Sequence, residues 1–417
     1  MSKFKQIKRI TSKNSKVVEN YFFMTVLQVI NSAFGILLYP YLIRILGANS
    51  FGLYIFSLTV TNFFISFISF GFNFPAVKAV STNRESYEIK SEQIANVFTA
   101  KCYLFLISVV VFVCLVLSIE TIRSNWFIYT ICFTQVFGEI LIPNWFFQGI
   151  QKMRVLTIIQ VSVRIVSLPF IFLFIKKAED IWIYATISSG IMITIGIITV
   201  IYLKRNENIN YRFVPFSSLK KQFKDALPFF WSSAVGTLKE ETATIIIGTF
   251  FGMRDVAIYD LAKKVISIPR ILTYSINNAL FPQVIDKIEK QLVKKIIRYE
   301  TWIGISVSLF IAIFGYWIIY ILGGTEMLSA YPLALILSVT ILVWLVVGSY
   351  ISFIFVPLNK YYYVTLNQIV ALVSFLILGV VGILIHKSIV VIVLALTLSG
   401  LCEIAFCNYL IKTKKLL

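Results

Sequence analysis

The chain is divided into apolar runs of about 20 residues, and this spacing constrains its fold more than any other feature. A helix of that length spans the hydrocarbon core of a bilayer. Lys, Arg, Asp and Glu make up only 14% of the residues and gather in short clusters between the runs. A transmembrane β-barrel is excluded, because its strands would alternate apolar and polar residues over segments of about 10 positions. The sequence therefore predicts an all-α polytopic membrane protein.

Counting the apolar runs predicts twelve transmembrane helices. An even number places both termini on the same side of the membrane. The predicted spans are 18–41, 51–74, 95–118, 125–147, 155–175, 181–203, 225–250, 256–280, 301–321, 331–355, 361–385 and 389–411.

The distribution of basic residues assigns the side that holds the termini to the cytoplasm. The N-terminal segment 1–17, the segment 204–224 and the tail 412–417 are all basic. The opposite side holds six Lys and Arg residues, which are Arg44, Arg123, Lys176, Lys177, Arg254 and Lys387. This asymmetry follows the positive-inside rule. The formal net charge of +19 is thus mainly a topology signal, with attraction to anionic membrane lipid as a second effect and no nucleic-acid partner expected.

A short internal repeat relates the two ends of the chain. The segment Leu46–Tyr54 aligns without gaps on Phe251–Tyr259, at an offset of 205 residues that matches Gly47 with Gly252. The same offset carries the first six predicted helices onto the last six. We therefore expect two parallel six-helix halves, 18–203 and 225–411, joined by the basic linker 204–224 around a central cavity. Two such halves can rock against each other and so expose a central site to each side of the membrane in turn.

Soluble catalytic machinery is not expected in this chain. The predicted loops are too short for an extramembrane domain, and no Walker-type loop is present to hold a nucleotide. The chain has a single histidine, His386, so few side chains could serve as a general acid or base near neutral pH. We predict a protein that is not an enzyme and that needs no cofactor or metal.

Four segments resemble one family of transporters. They are ILGANSFGLY, PNWFFQGIQKM, GTFFGMRDVAIYDLAKKV and ALFPQV. Together they are similar to the Wzx-type flippases of O-antigen and capsular polysaccharide repeat units, in the multidrug/oligosaccharidyl-lipid/polysaccharide exporter superfamily. The resemblance implies a bacterial cytoplasmic-membrane protein that moves undecaprenyl-pyrophosphate-linked oligosaccharides to the outer leaflet, with a polysaccharide polymerase as a candidate partner.

Cations inside the predicted helices are candidates for binding such a cargo. A diphosphate and many sugar hydroxyls are costly to move through hydrocarbon unless polar groups satisfy them. Arg270 has no acidic residue within reach along its own helix, and Lys263 shares its helix face at a spacing of seven residues. We expect the pyrophosphate to bind Arg270 with help from Lys239 or Lys263, and a structural partner for Arg270 is the alternative.

Other intramembrane charges are expected to pair with one another. Glu139 and Arg164 fall at similar depth on adjacent predicted helices, as an ion pair or a gate. Asp260 is expected to neutralise Lys264, and Lys263 to meet a glutamate, either Glu240 or Glu241.

Glu403, in the last predicted helix, is expected either to bind a coupling proton or cation or to bond its neighbours Asn408 or Ser399.

Two functions of other classes stay open at this stage. A drug/cation antiporter of the same fold would need an acidic cavity, whereas the charge of the second half leans basic. A membrane sugar polymerase or ligase would need a long outer loop with acid/base residues. Both are weaker than the flippase interpretation.

The predicted topology can be checked with reporter fusions. A reporter after Lys221 should be cytoplasmic and one after Ala178 external, because one predicted transmembrane helix, 181–203, lies between these positions. Alkaline phosphatase and fluorescent-protein fusions measure the two sides. A cytoplasmic signal at Ala178 would contradict the twelve-helix topology.

Overall fold

All secondary structure in the described part of the chain is helical. The computed structural model describes residues 2–285, 290–358, 360–414 and 416. Its α-helices are α1 Ser2–Ser69, α2 Asn73–Thr82, α3 Tyr87–Ser118, α4 Glu120–Ser124, α5 Trp126–Phe133, α6 Gln135–Leu141, α7 Asn144–Gly149, α8 Met153–Phe174, α9 Ile181–Asn206, α10 Phe216–Phe250, α11 Met253–Ile285, α12 Lys290–Gly323, α13 Ala330–Tyr350, α14 Tyr361–Ile385 and α15 Ile389–Thr413. Short 3₁₀ turns form at Ala178–Asp180 and Thr325–Met327, and a π-helical turn, Ile351–Phe355, continues α13.

Nine helices within these described ranges are long and apolar enough to cross a membrane. The first of them, Glu19–Ser69, has 51 residues and covers most of the first two predicted spans. Helices α10 and α11 coincide with the seventh and eighth predicted spans but are not among the nine, and both carry several charged side chains. The prediction of a polytopic α-helical membrane protein is confirmed, and the count of twelve stays a prediction.

The two glycines that the repeat aligns both have a positive φ. Gly47 interrupts α1 with a φ of 73°, and Gly252 separates α10 from α11 with a φ of 108°. Glycine tolerates positive φ because it has no Cβ. The tyrosines seven residues later, Tyr54 and Tyr259, are both buried. The repeat therefore marks two equivalent breaks between consecutive helices.

Proline interrupts one of the predicted spans. The predicted helix 125–147 is divided into α5, α6 and α7, and Pro143 lies between the last two. Proline lacks an N–H and clashes with the preceding turn, which explains the break. Helix α8, by contrast, continues through Pro169.

The helices form two compact units. The first combines the chain up to Phe34 with Val60–Ser233, and within it α9 packs against α5, α6 and α8. The second combines Gly35–Thr59 with the chain from Ala234 onward, and within it α13 packs against α11, α12 and α15. The central part of α1 thus belongs with the helices of the second unit.

Close backbone contact holds the α1 segment to α11 in the second unit. The Tyr39 hydroxyl donates a buried hydrogen bond to the Ala257 carbonyl over 3.0 Å. A Cβ added at Gly52 would collide with the Met253 backbone carbonyl and would lie 3.3 Å from the Ala257 nitrogen. Only glycine allows the two helices to approach this closely.

Substitution of Gly52 should therefore destabilise the protein. We expect Gly52→Ala to lower stability by about 1–3 kcal/mol, because a backbone carbonyl cannot move aside as a side chain can. Gly35→Ala is the matched control, since nothing lies within 4 Å of its added Cβ. Thermal unfolding in detergent measures both, and equal melting temperatures for the two variants would contradict the close approach.

Candidate functional site

A buried carboxylate joins three helices of the second unit. Lys239 of α10 forms an ion pair with Glu403 of α15, which is only 3% exposed. The side-chain amide of Asn367 on α14 donates to the other Glu403 oxygen over 3.2 Å. Both carboxylate oxygens are thus satisfied, as burial of a charge requires. This arrangement ties α10, α14 and α15 together.

A second ion pair lies next to the first but is far more accessible. Nη2 of Arg270 on α11 donates to Oε1 of Glu240 on α10 over 2.6 Å. The Arg270 side chain is 38% exposed and the Glu240 side chain 55%. The guanidinium carbon lies 4.5 Å from the ring centroid of Trp344 on α13, a cation–π contact. Because stacking uses the face of a guanidinium, its donors point outward in the plane.

The two ion pairs influence each other electrostatically. Arg270 acts on Glu403, and Lys239 acts on Glu240. We call Lys239, Glu240, Arg270 and Glu403 the Arg270 cluster. Lys263 also acts on Glu240 from α11, so three cations act electrostatically on the more accessible carboxylate.

Lys263 is electrostatically coupled to Glu240, one of its two expected glutamate partners. The described residues include no ion pair between Lys264 and Asp260, the other pairing expected from the sequence. Lys263 also places Nζ 5.5 Å from the ring centroid of Tyr259. Asp260 is buried, and its Oδ2 has no hydrogen-bond partner among the described atoms.

Glu241 and Asp260 both act electrostatically on Tyr259, and Asp260 also acts on Tyr39.

The expected pair of Glu139 and Arg164 is also wrong. Lys101 of α3, 2% exposed, lies 3.2 Å from Glu139 Oε1 and donates to the Glu139 carbonyl over 3.0 Å. The Arg164 guanidinium carbon lies 5.5 Å from the Phe34 ring centroid instead. Helix α6, which carries Glu139, packs against α3 and α9. Residues at similar depth on neighbouring helices pair only if their side chains also face each other. Glu139 and Arg164 do not, since each has another partner.

The neighbours expected for Glu403 have other partners. Asn408 accepts a hydrogen bond from Tyr350 over 2.7 Å, and Ser399 donates to the Leu396 carbonyl over 2.7 Å. Glu403 is therefore a pairing residue for Lys239 in this structure.

Outside the membrane spans, two contacts anchor the chain around the linker to the first unit. Lys152 pairs with Glu207, and this hydrogen bond raises the pKa of Lys152 while partial burial opposes the rise. The Tyr211 hydroxyl donates to the Leu141 carbonyl over 3.0 Å, and burial raises the pKa of Tyr211.

Comparison with known proteins decides the family. A family model described as "Polysaccharide biosynthesis protein" matches residues 17–286. The chain belongs to this family. The match confirms the resemblance carried by the sequence motifs.

Two relatives with curated names support the same family. A protein of Escherichia coli (strain K12) named "Putative O-antigen transporter" is 24% identical over 278 residues, 67% of each chain. A protein of the same name from Shigella dysenteriae is 22% identical over 260 residues, 61% of this chain and 64% of the relative.

Solved structures share the fold at low identity. The lipid II flippase MurJ in an inward closed conformation superposes with a TM-score of 0.72 at 13% identity, over 95% of this chain and 87% of that one. An inward-facing multidrug resistance MATE family transporter of the MOP superfamily gives a TM-score of 0.66 at 16% identity, over 93% and 95%. With the apolar helices, these matches identify a multi-pass protein of the bacterial cytoplasmic membrane.

Sequence reasoning about this polysaccharide biosynthesis family member missed two residues. Lys101 lies six positions inside the predicted third helix, so the search for intramembrane charges that found Glu139 could have found it. Trp344 had no such signal, because its contact with Arg270 joins helices that are distant in sequence.

The Lys101 and Glu139 pair can be tested with a double-mutant cycle. Lys101→Met and Glu139→Gln should each destabilise the protein by about 3–5 kcal/mol, since each leaves a buried charge without its partner. The double variant should be more stable than the sum of the two losses predicts. A parallel cycle of Glu139→Gln with Arg164→Gln is the control and should be additive. Additivity in the first cycle would contradict the pair.

Proposed function

We propose that this protein is a flippase that moves undecaprenyl-pyrophosphate-linked oligosaccharide repeat units from the inner to the outer leaflet for O-antigen or capsule assembly. The observation that carries the proposal is the accessible Arg270 within a polysaccharide biosynthesis family member. The O-antigen transporter names of its relatives and its fold similarity to a lipid II flippase support the same cargo class.

The cargo defines what the protein must supply. A pyrophosphate loses its hydration in the bilayer core, and each unsatisfied charge there costs several kcal/mol. Arginine suits this task because its planar donors match phosphate oxygens two at a time and it stays charged at physiological pH. Trp344 stacks on the Arg270 guanidinium and orients those donors.

Binding is proposed to work by exchange of anions. Arg270 holds Glu240 when cargo is absent, and the pyrophosphate takes the place of this carboxylate. Lys263, which already acts on Glu240, would then face the same anion. Lys239 contributes positive potential to the site while its pair with Glu403 keeps it in place.

Alternating access is the proposed mechanism of movement. The repeat at Gly47 and Gly252 supports two related halves, and their rocking would carry the bound head group between leaflets without a covalent step. We propose that a polysaccharide polymerase receives the cargo afterwards.

One other function has specific support. Multidrug transporters share this fold, and the Glu240 carboxylate is more than half exposed, so a cationic substrate could pair with it. Uptake of a lipophilic cation by vesicles containing the purified protein would favour that antiporter over the flippase.

Substitution of Arg270 tests the cargo site. Arg270→Ala should abolish surface polysaccharide in a strain that lacks the flippase, and Arg270→Lys should reduce it partly, because lysine cannot bind phosphate through a planar fork. Complementation measured by polysaccharide immunoblot gives the result.

A second variant separates binding from folding. Arg270→Ala leaves Glu240 without its guanidinium, so the double variant Glu240→Gln/Arg270→Ala removes that stranded charge. It should be present in the membrane at wild-type level and still be inactive. Normal polysaccharide from either variant would refute the role of Arg270 in cargo binding.

A further inference from the structure

The exposed face of α12 changes its chemistry along the helix. Its first turns carry three exposed cations, Lys294, Lys295 and Arg298. Tyr299 and Trp302 come next and are 58% and 62% exposed. The large exposed residues that follow are apolar, and they give way to aromatic residues near the other end of the helix. These residues are Ile305, Leu309, Phe310, Ile313 and Phe314, and then Tyr316, Trp317 and Tyr320.

The aromatic residues at the two ends locate the membrane on this face. Tyrosine and tryptophan are enriched where the hydrocarbon core meets the head-group layer. From Tyr299 to Tyr320 the helix rises about 31 Å, at 1.5 Å per residue, which matches the thickness of the hydrocarbon core. Lys294 lies only about 8 Å beyond Tyr299 along the axis, and Lys295 and Arg298 lie between them. The three cations are therefore at the depth of the lipid head groups.

The opposite face of the same turns is packed against the second unit. Val293 and Ile296 are buried in a cluster with residues of α13, α15 and the π-helical turn. This packing fixes the backbone that carries the cations. Lys294 and Arg298 are four residues apart, so they share one side of the helix. The cations thus form one fixed basic surface, which we call the α12 basic face.

The cations of the α12 basic face have no carboxylate partner within the described residues. Lys294, Lys295 and Arg298 take part in none of the ion pairs found there. Lys295 instead places Nζ 5.9 Å from the ring centroid of Tyr299. Like charges within two turns of a helix repel one another. A phosphate among them would relieve this repulsion and form charge-assisted hydrogen bonds.

The equivalent helix of the first half carries a different surface. The offset of 205 residues that aligns Gly47 with Gly252 also places α3 on α12. The corresponding turns of α3 expose Glu88 and Glu92. A basic face is therefore not a general requirement of this position in the repeat. It is a particular property of α12 and provides a comparison within the same chain.

We propose that the α12 basic face binds the phosphate of an anionic glycerophospholipid, such as phosphatidylglycerol, in the cytoplasmic leaflet. Charge complementarity favours a lipid whose head group carries a phosphate and no cation of its own. The basic face continues into the exposed apolar surface of α12, so the acyl chains of a surrounding lipid would lie along Ile305 and Leu309. The predicted topology places this end of α12 on the cytoplasmic side. The inference goes beyond the proposed flippase function and does not depend on its cargo.

Photo-crosslinking with the full-length protein in phosphatidylcholine vesicles tests the site. The probes are phosphatidylglycerol and phosphatidylcholine that carry the same diazirine next to the head group. Phosphatidylglycerol should label peptides from 290–302 about tenfold more strongly than phosphatidylcholine does. Peptides from 87–98 of α3 should show no such preference, because that surface exposes carboxylates.

Substitution of the cations tests their role. The triple variant Lys294→Gln/Lys295→Gln/Arg298→Gln should reduce labelling of 290–302 by phosphatidylglycerol about tenfold and leave labelling by phosphatidylcholine unchanged. The variant Lys294→Arg/Lys295→Arg should keep the labelling, since it keeps the charge. Lys176→Gln/Lys177→Gln is the matched control, because both lysines are exposed and lie at the predicted outer face.

A measurement on the unsubstituted protein separates binding from folding. Raising sodium chloride from about 0.1 to about 1 M shortens the range of electrostatic attraction. Labelling of 290–302 by phosphatidylglycerol should therefore fall several-fold, and labelling by phosphatidylcholine should not change. This result needs no variant to fold.

Three outcomes would overturn the proposal. The first is equal labelling of 290–302 by the two lipids, and the second is phosphatidylglycerol labelling that survives both the triple substitution and high salt. The third is displacement of phosphatidylglycerol by a tenth of its amount of undecaprenyl pyrophosphate, which would make the face a cargo site.

Discussion

Charge buried in an apolar environment is the constraint on which the rest of this structure depends. Lipid tails are as apolar as leucine, so hydrophobic burial alone cannot decide which helices meet inside a membrane. Polar contacts can. Lys101 with Glu139 connects α3 to α6, and Lys239 with Glu403 connects α10 to α15. Each pair satisfies a charge that would be costly alone, and in doing so it specifies one helix neighbour.

The two ion pairs of the Arg270 cluster differ in accessibility. Glu403 is 3% exposed and bonded on both oxygens, so its removal would leave Lys239 stranded. The Glu240 side chain is 55% exposed and meets its partner at the surface of the cluster. The same network therefore contains a buried pair and a more exposed pair, and we propose that the cargo exchanges only with the second.

Sequence alone predicted the fold class and found most charges of the site, but it did not find their partners. The apolar runs and the helix breaks at Gly47 and Gly252 are features of local conformation. Such features can be predicted from patterns in the sequence. The partner of Glu139 depends on which face of α6 meets which helix. Depth along a helix can be counted from the sequence, whereas rotation about its axis is decided by packing. Packing therefore places Lys101 next to Glu139, and Arg164 stacks on Phe34 instead.

Reversible transport requires a site that binds its cargo and then releases it. In the proposed exchange Arg270 stays paired throughout, because the pyrophosphate takes the place of the Glu240 carboxylate. The carboxylate also remains on the neighbouring helix after displacement and can return to the guanidinium. Its return would help to expel the pyrophosphate, since both anions compete for one cation. An arginine without such a competitor would bind the head group more tightly and release it more slowly, so we propose that Glu240 governs release while Arg270 governs binding.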